Sequence, residues 1–262
     1  MLGTTGEGVL LDAAERRQLA EQLAGLVDGR LPLVVHCGAA DTPTTAALAS
    51  HAEGLGVPAV AAVVPYFFRY GTDALYRHFA TVAEAAPAVG HYVYDNPERV
   101  GYAGGVELVA RLVAEVPAVR GIKDTGDSVG KLGQYLTVGG TGVQVYTGSN
   151  LTVLPALVMG ARGAVSALAN AAPELLAALD RVARAGRLEE ARQLQLTVTR
   201  LQQCLAGLPY IAAVKHLVVR RGLPGGTGRP PQPDLTGEEK ARLDGRLDAA
   251  EDVKAWLDGG AR

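Results

Sequence analysis

Cysteine is almost absent from this 262-residue chain, in which Cys37 and Cys204 stand far apart with no others. That excludes a disulfide framework and provides no ligand spacing for zinc, so a reducing cytoplasm is the default compartment. No apolar stretch approaches the roughly 20 residues of a membrane span, and no basic segment followed by an apolar one opens the chain. Blocks of Lys and Arg are missing too. With a formal net charge of −2, the sequence argues against nucleic acid or an anionic membrane as a main partner and leaves small neutral or anionic metabolites.

The most informative scarcity is lysine: five Lys stand against twenty Arg. One of the five, Lys123, ends the short apolar run Val119-Arg120-Gly121-Ile122-Lys123 and is followed at once by Asp124-Thr125-Gly126-Asp127. An amine at the carboxyl end of a buried strand sits where α/β folds place their chemistry. Arg cannot lose its proton, whereas a partly buried Lys can, and can then attack a carbonyl carbon. The alternative is a strand-end Lys paired with Asp124, a structural ion pair without chemistry.

What the chain does have is apolar residues, 48% of the total, enough for one large domain and a modest appendage. Short apolar runs recur, each followed by a longer helical pattern, as in repeated βα units. Strands are expected at Leu33–Cys37, Ala59–Val64, His91–Tyr94, Val119–Lys123, Val143–Thr147 and Gly163–Ser166. Helices are expected near Ala13–Leu26, Thr42–Leu55, Thr72–Ala86, Gly105–Glu115, Ser128–Leu136, Leu151–Met159 and Pro173–Ala185. Strand starts about 20 to 32 residues apart match one βα unit each, and the nearly all-apolar strands predict a parallel sheet buried on both faces. Asp12 followed by Glu15 reads as a capping box. Beyond the barrel-like region, 1–186, a helical region 187–262 is expected, with segments Leu188–Leu205, Ile211–Arg221 and Thr236–Asp258 and an irregular Gly/Pro loop at Gly222–Pro233.

Four constellations fall at the carboxyl ends of strands. Gly3-Thr4-Thr5-Gly6-Glu7 can turn backbone N–H groups and two hydroxyls toward a small anion, although it also reads as an ordinary turn. Tyr94-Asp95-Asn96-Pro97-Glu98-Arg99 places a phenol that can relay protons five residues before a guanidinium that can fork onto a carboxylate. Gly121-Ile122-Lys123-Asp124 carries the amine. Thr147-Gly148-Ser149-Asn150 and Gly163-Ala164-Val165-Ser166-Ala167 are small residues that leave room beside a ligand.

Together these motifs resemble the dihydrodipicolinate synthase/N-acetylneuraminate lyase (DapA-like) family of Schiff-base class I aldolases on a (β/α)8 TIM barrel, over essentially the whole chain. The resemblance implies a lyase acting on pyruvate or a related 2-oxo acid, with Lys123 as the imine-forming lysine and Tyr94 as the proton relay. It implies that Thr4 and Thr5 hold the 2-oxo acid carboxylate, that Arg99 meets a second carboxylate, and that Gly148 and Val165 line the pocket. No metal or organic cofactor is required by such chemistry. The family's usual assembly is a homo-oligomer, a dimer or tetramer.

Departures from the family pattern shape the expectation further. Lysine-precursor synthases carry Pro-Tyr-Tyr where this chain has Pro65-Tyr66-Phe67-Phe68, so Phe67 lacks a relay hydroxyl that Tyr66 or Tyr70 would have to replace. The Lys123-Asp124-Thr125-Gly126 run, Gly148-Ser149 and Ala167-Leu168-Ala169-Asn170 look more like 4-hydroxy-2-oxoglutarate and sugar-acid aldolases. The synthase condensing pyruvate with aspartate semialdehyde is the runner-up, and a non-catalytic metabolite-binding relative the competing class. A phosphate-binding barrel is weaker still, since Arg162 is the single basic residue near the late Gly-rich strands. His36 and Cys37 are not expected to pair, because neighbouring strand residues point to opposite faces. The family has about 40 further residues before Gly-Thr-Thr-Gly-Glu, so the barrel is expected to lack its first strand or strands and to open an edge there.

Overall fold

The structure, a computed structural model, describes residues 1–138 and 142–259, so residues 260–262 of the expected helical region lie outside the described residues. The chain divides into two compact units, Met1–Tyr146 and Thr147–Arg262.

In the first unit, helix α1 (Ala13–Val27) begins at Asp12, whose carboxylate accepts from the Glu15 N–H at 2.8 Å while Glu15 accepts from the Asp12 N–H at 3.0 Å. This is the capping box, and such a cap contributes about 1 kcal/mol. There follow β1 (Val34–His36), α2 (Thr42–Gly54), β2 (Ala59–Val63), α3 (Thr72–Ala85), β3 (Gly90–Asp95), the short α4 (Pro97–Val100), α5 (Val106–Glu115), β4 (Val119–Asp124), α6 (Val129–Thr137) and β5 (Gln144–Thr147). The strands lie side by side in chain order, with parallel registers such as Val35↔Val60, Ala62↔Val93 and Tyr94↔Lys123. Between β3 and β4 the register shifts at His91/Tyr92.

Apolar side chains on the outer faces of β1 and β2, including Val35, Cys37 and Val60, pack against Leu48, Ala49 and Ala52 of α2 and Val82 of α3. At the β1 edge the Met1 ammonium donates to the Val34 carbonyl at 2.7 Å and the His36 N–H donates to the Met1 carbonyl at 3.0 Å. Gly121 lies so close to β5 that a Cβ there would sit 1.8 Å from the Gln144 carbonyl oxygen. Only glycine lets β4 and β5 approach this closely.

The second unit holds a 3₁₀ turn (Asn150–Thr152), α7 (Val153–Val158), the two-residue strand β6 (Gly163–Ala164), α8 (Pro173–Arg184), α9 (Leu188–Cys204), α10 (Tyr210–Arg220), α11 (Gly237–Ala249) and α12 (Glu251–Leu257). Next to β6, the Val165 N–H donates to the Thr147 carbonyl at 2.8 Å. Leu175, Leu179, Val198, Leu201, Leu217, Leu243 and Leu247 form its core.

All six expected strands and the βα alternation are present among the described residues. Two helical details differ from expectation. The segment Thr236–Asp258 is not one helix: Ala250, at φ −99° and ψ 80°, breaks it. The cause is tertiary, because α12 presents Asp252 to Thr197 at 2.6 Å and to Arg200 on α9. The short helix α4 also went unexpected in a stretch that reads as loop. Its Pro97 occupies the first turn, where a missing N–H costs nothing.

Candidate active site

Parallel pairing of β3 with β4 sets Tyr94 opposite Lys123 and Asp95 opposite Asp124 at the carboxyl ends of the two strands. Side chains alternate along a strand, so the tyrosine and lysine share one face and the two aspartates the other. On the first face the Lys123 amine lies 4.0 Å from the centre of the Tyr94 ring. Lys123 is half-buried and has no carboxylate within ion-pair distance among the described residues. The expected alternative, a Lys123–Asp124 pair, is therefore not formed. Asp124 binds Lys131 instead, at 3.2 Å, because it faces the opposite side of the strand.

Tyr94 is 3% exposed. Its hydroxyl lies 3.0 Å from the Thr4 hydroxyl and accepts from the Asn96 amide at 2.8 Å, and that amide also reaches Thr4 at 3.5 Å. The Gly-Thr-Thr-Gly-Glu segment is a tight turn in which the Glu7 N–H donates to the Thr4 carbonyl at 3.1 Å and the Gly8 N–H to the Gly3 carbonyl at 3.3 Å. Leu2, just before it, and Glu7, its last residue, lie in the left-handed region at φ 60° and 54°. Non-glycine residues rarely adopt that conformation, and such strain clusters at ligand-binding turns. A Cβ on Gly8 would stand 2.0 Å from the Leu2 carbonyl oxygen, so the turn closes only with glycine there. Thr5 is half-buried in the same turn.

Beneath the tyrosine, the His36 ring meets the Tyr94 ring edge-on with centroids 5.8 Å apart. His36 Nε2 accepts the Val63 N–H at 3.0 Å, which leaves the proton on Nδ1. Burial, with help from the nearby Arg16 and Lys123 charges, pushes the His36 pKa down to about 3, so the ring is neutral. Cys37 faces the helices, its thiol pushed up to about 12 by burial. The two do not form a nucleophile and base pair, as their alternation along β1 predicts.

Arg99, Gly148 and Val165 lie on other elements. Arg99 is exposed on α4. Gly148 and Val165 belong to the second unit, Gly148 just after β5 and Val165, 48% exposed, just after β6. Phe67 is 87% exposed at φ 80°, and neither Tyr66 nor Tyr70 bonds to the Tyr94 hydroxyl. A cavity of about 410 Å³ among Ala40, Asp41, Pro65, Tyr70, Arg77 and His78 is lined by Tyr70 but by none of Lys123, Tyr94, Thr4, Thr5 and Arg99.

Two groups escaped the sequence reading. Asn96 looks like a turn residue in sequence, and only the fold brings its amide to Tyr94. The second is behind the strands, where Lys131 of α6 donates to Asp95 at 2.8 Å and to Asp124 at 3.2 Å, both carboxylates being fully buried. Tyr135, one turn later, donates to Asp95 at 3.1 Å. Burial works to lower the Lys131 pKa, but the hydrogen bond to Asp95 and the two carboxylate charges hold it above its usual value. Burial raises the pKa of Asp124 despite the ammonium. The available signal was a Tyr-Asp and a Lys-Asp ending adjacent strands, which leaves two acids facing away from the amine.

The dihydrodipicolinate synthetase family matches residues 1–250. The chain belongs to this family. Among its relatives, an uncharacterised DapA-like lyase of Halobacterium salinarum is 35% identical over 94% of this chain and 80% of the relative. The 4-hydroxy-tetrahydrodipicolinate synthase of Neisseria gonorrhoeae is 33% identical over 95% of this chain and 84% of the synthase. Among solved structures, a prophage protein of the dihydrodipicolinic acid synthase family from E. coli K12, in complex with pyruvate, superimposes with a TM-score of 0.91 at 28% identity, covering 96% of this chain and 86% of that one. The fold is thus the family's barrel, and membership makes the chain a DapA-family lyase or aldolase in class. No described helix is long and apolar enough to cross a membrane.

Proposed function

We propose that the protein is a Schiff-base-forming lyase that works on pyruvate or a related 2-oxo acid through Lys123. The observation that carries this reading is the Lys123 amine, without an acid partner among the described residues, held 4.0 Å from the ring of a tyrosine whose hydroxyl bonds to Thr4 and Asn96. A structural lysine at a strand end would be paired, and a binding module needs no nucleophilic amine.

The Lys123 nitrogen adds to the C2 carbonyl carbon of the 2-oxo acid, and loss of water leaves an iminium. Thr4 and Thr5 bind the carboxylate and so orient C2 toward the amine. In aldol cleavage the C4 hydroxyl gives up its proton through Tyr94 and the C3–C4 bond breaks. Its electron pair passes into the iminium as an enamine, and an aldehyde departs. Protonation at C3 and hydrolysis then release pyruvate and the free lysine. Arg99 meets a distal carboxylate.

Phe67 has no hydroxyl to offer a condensing relay, so the favoured reaction is cleavage of a hydroxylated 2-oxo acid such as 4-hydroxy-2-oxoglutarate or a sugar acid. The second reading, 4-hydroxy-tetrahydrodipicolinate synthase, draws on Arg99 and on the likeness to the Neisseria gonorrhoeae enzyme. The working form is a homo-oligomer, and Phe67 and Phe68, 87% and 64% exposed, are the apolar pair an interface would cover.

Two experiments test these proposals. Borohydride reduction with pyruvate should add one adduct, mapped to Lys123 by mass spectrometry. An adduct on Lys131 or Lys215, or none on folded protein, defeats the assignment. Assays of aldol cleavage and of pyruvate condensation with aspartate semialdehyde, each repeated in Arg99→Ala, separate the two reactions.

A further inference from the structure

We propose that Lys131 is a positioning residue: by bridging Asp95 and Asp124 behind the sheet, it clamps the ends of β3 and β4 and so holds Tyr94 and Lys123 in register on the other face. This rests on the Schiff-base reading of Lys123 and adds to it a residue that never touches substrate.

The argument begins with the ladder. β3 and β4 end at Asp95 and Asp124, the residues directly after Tyr94 and Lys123, and their register shifts upstream at His91/Tyr92. Past that shift only the pairs from Tyr92↔Gly121 to Asp95↔Asp124 carry the alignment of the two strand ends. One residue of slip is about 3.3 Å and would turn the wrong side chain to the site. At the open end, a single ammonium spans both strands at 2.8 and 3.2 Å. Other bonds gather at the same corner: Tyr135 and the Gly104 N–H donate to the Asp95 carboxylate, and Thr125, directly after β4, adds a second tie to β3 by donating to the Asp95 carbonyl through both its N–H (3.1 Å) and its hydroxyl (3.0 Å).

Energetics point the same way. Two fully buried carboxylates share one cation, and Asp124 Oδ2 has no well-formed hydrogen bond. Such an arrangement adds little stability compared with apolar packing, and its best-attested use is to specify one geometry. Its placement supports that use, since the clamped residues are the immediate neighbours of the reacting pair.

The ionisable groups around the cluster are Tyr135 on α6, Asp95 on β3, Asp124 on β4 and Tyr102 in the loop after α4. On the opposite face lie Tyr94, Lys123 and His36. On the neighbouring α5, Arg111 is engaged with Asp73 and Glu115.

The test compares full-length wild type with Lys131→Met, Lys131→Arg, and Lys131→Met combined with Asp124→Asn. The double variant removes the cross-link while leaving one buried carboxylate rather than two, still held by Tyr135 and Gly104, so it is destabilised less than the single change. Timed borohydride quenching with pyruvate measures the rate of imine formation on Lys123. Expected is a fall of about 10- to 100-fold in the variants lacking the cation, seen in kcat with a smaller change in KM. Lys131→Arg, whose fork reaches both acids, should stay within a few-fold of wild type. A double variant as fast as wild type overturns the proposal. So does an arginine variant as slow as the methionine one, because that reports packing at α6 rather than a bridge.

Hydrogen exchange separates this inference from the reading beneath it. The Thr125 amide should exchange faster in the double variant, with β1 and β2 unchanged. If wild type forms no adduct, the Schiff-base reading fails, and unaltered Thr125 exchange would then refute the clamp as well.

Discussion

Replacing Tyr94 with Phe removes one oxygen atom and should separate folding from chemistry. The ring stays against His36 and the Lys123 amine, so packing is conserved. Two hydrogen bonds disappear, at 3.0 Å to Thr4 and 2.8 Å from Asn96. Thr4 is half-buried and can bond water. Asn96 is 5% exposed, and its amide is left with the 3.5 Å contact to Thr4. An unsatisfied buried donor costs about 1–3 kcal/mol, against a total stability of about 5–15 kcal/mol, so the variant remains folded. Turnover should fall about 10²- to 10⁴-fold, equivalent to about 2.7–5.4 kcal/mol in the barrier, while borohydride still traps an imine on Lys123. Urea denaturation and single-turnover assays measure the two effects separately. Combining Tyr94→Phe with Asn96→Leu removes both partners of the bond and should recover most of the stability with none of the activity. A Tyr94→Phe rate within about three-fold of wild type would remove the tyrosine from the mechanism. Unchanged stability would refute the account of the Asn96 bond.

Three further outcomes are expected. Gly121→Ala puts a methyl group 1.8 Å from the Gln144 carbonyl oxygen, so it should destabilise by about 3 kcal/mol or more and lower the melting temperature; a melt matching wild type would contradict the close approach of β4 and β5. Stability should fall between pH 6 and pH 4, because burial lowers the pKa of His36 to about 3 and of His78 to about 4, and the unfolded chain therefore binds protons that the native state refuses. Each such histidine contributes a slope of about 1.4 kcal/mol per pH unit in that window, opposed by Asp124, whose raised pKa favours the native state in acid; denaturant midpoints that do not change from pH 7 to pH 5 would refute this. Finally, light scattering at micromolar concentration should show at least a dimer, and Phe67→Ser with Phe68→Ser should weaken it, whereas a wild-type monomer would contradict the oligomer.

The βα order, the strand positions and the strand-end motifs were legible in the sequence because each depends on local pattern. Apolar runs of strand length, the Asp12/Glu15 cap and the position of Lys123 before a polar loop need no knowledge of distant contacts. The candidate site was legible to the extent that it repeats a strand-end rule: Tyr94, Lys123 and Thr4 do converge. Tertiary structure alone decided the partners. Alternation along β4 turns Asp124 away from Lys123, and α6 then brings Lys131 to it from the other side. The register of β3 against β4 delivers Asp95 to the same ammonium. Asn96 reaches the Tyr94 hydroxyl only because the chain turns after β3, and Ala250 breaks a helix because Asp252 meets Arg200 and Thr197 on α9. Local pattern states which face a residue occupies, but the partner it finds there depends on packing between segments far apart in sequence.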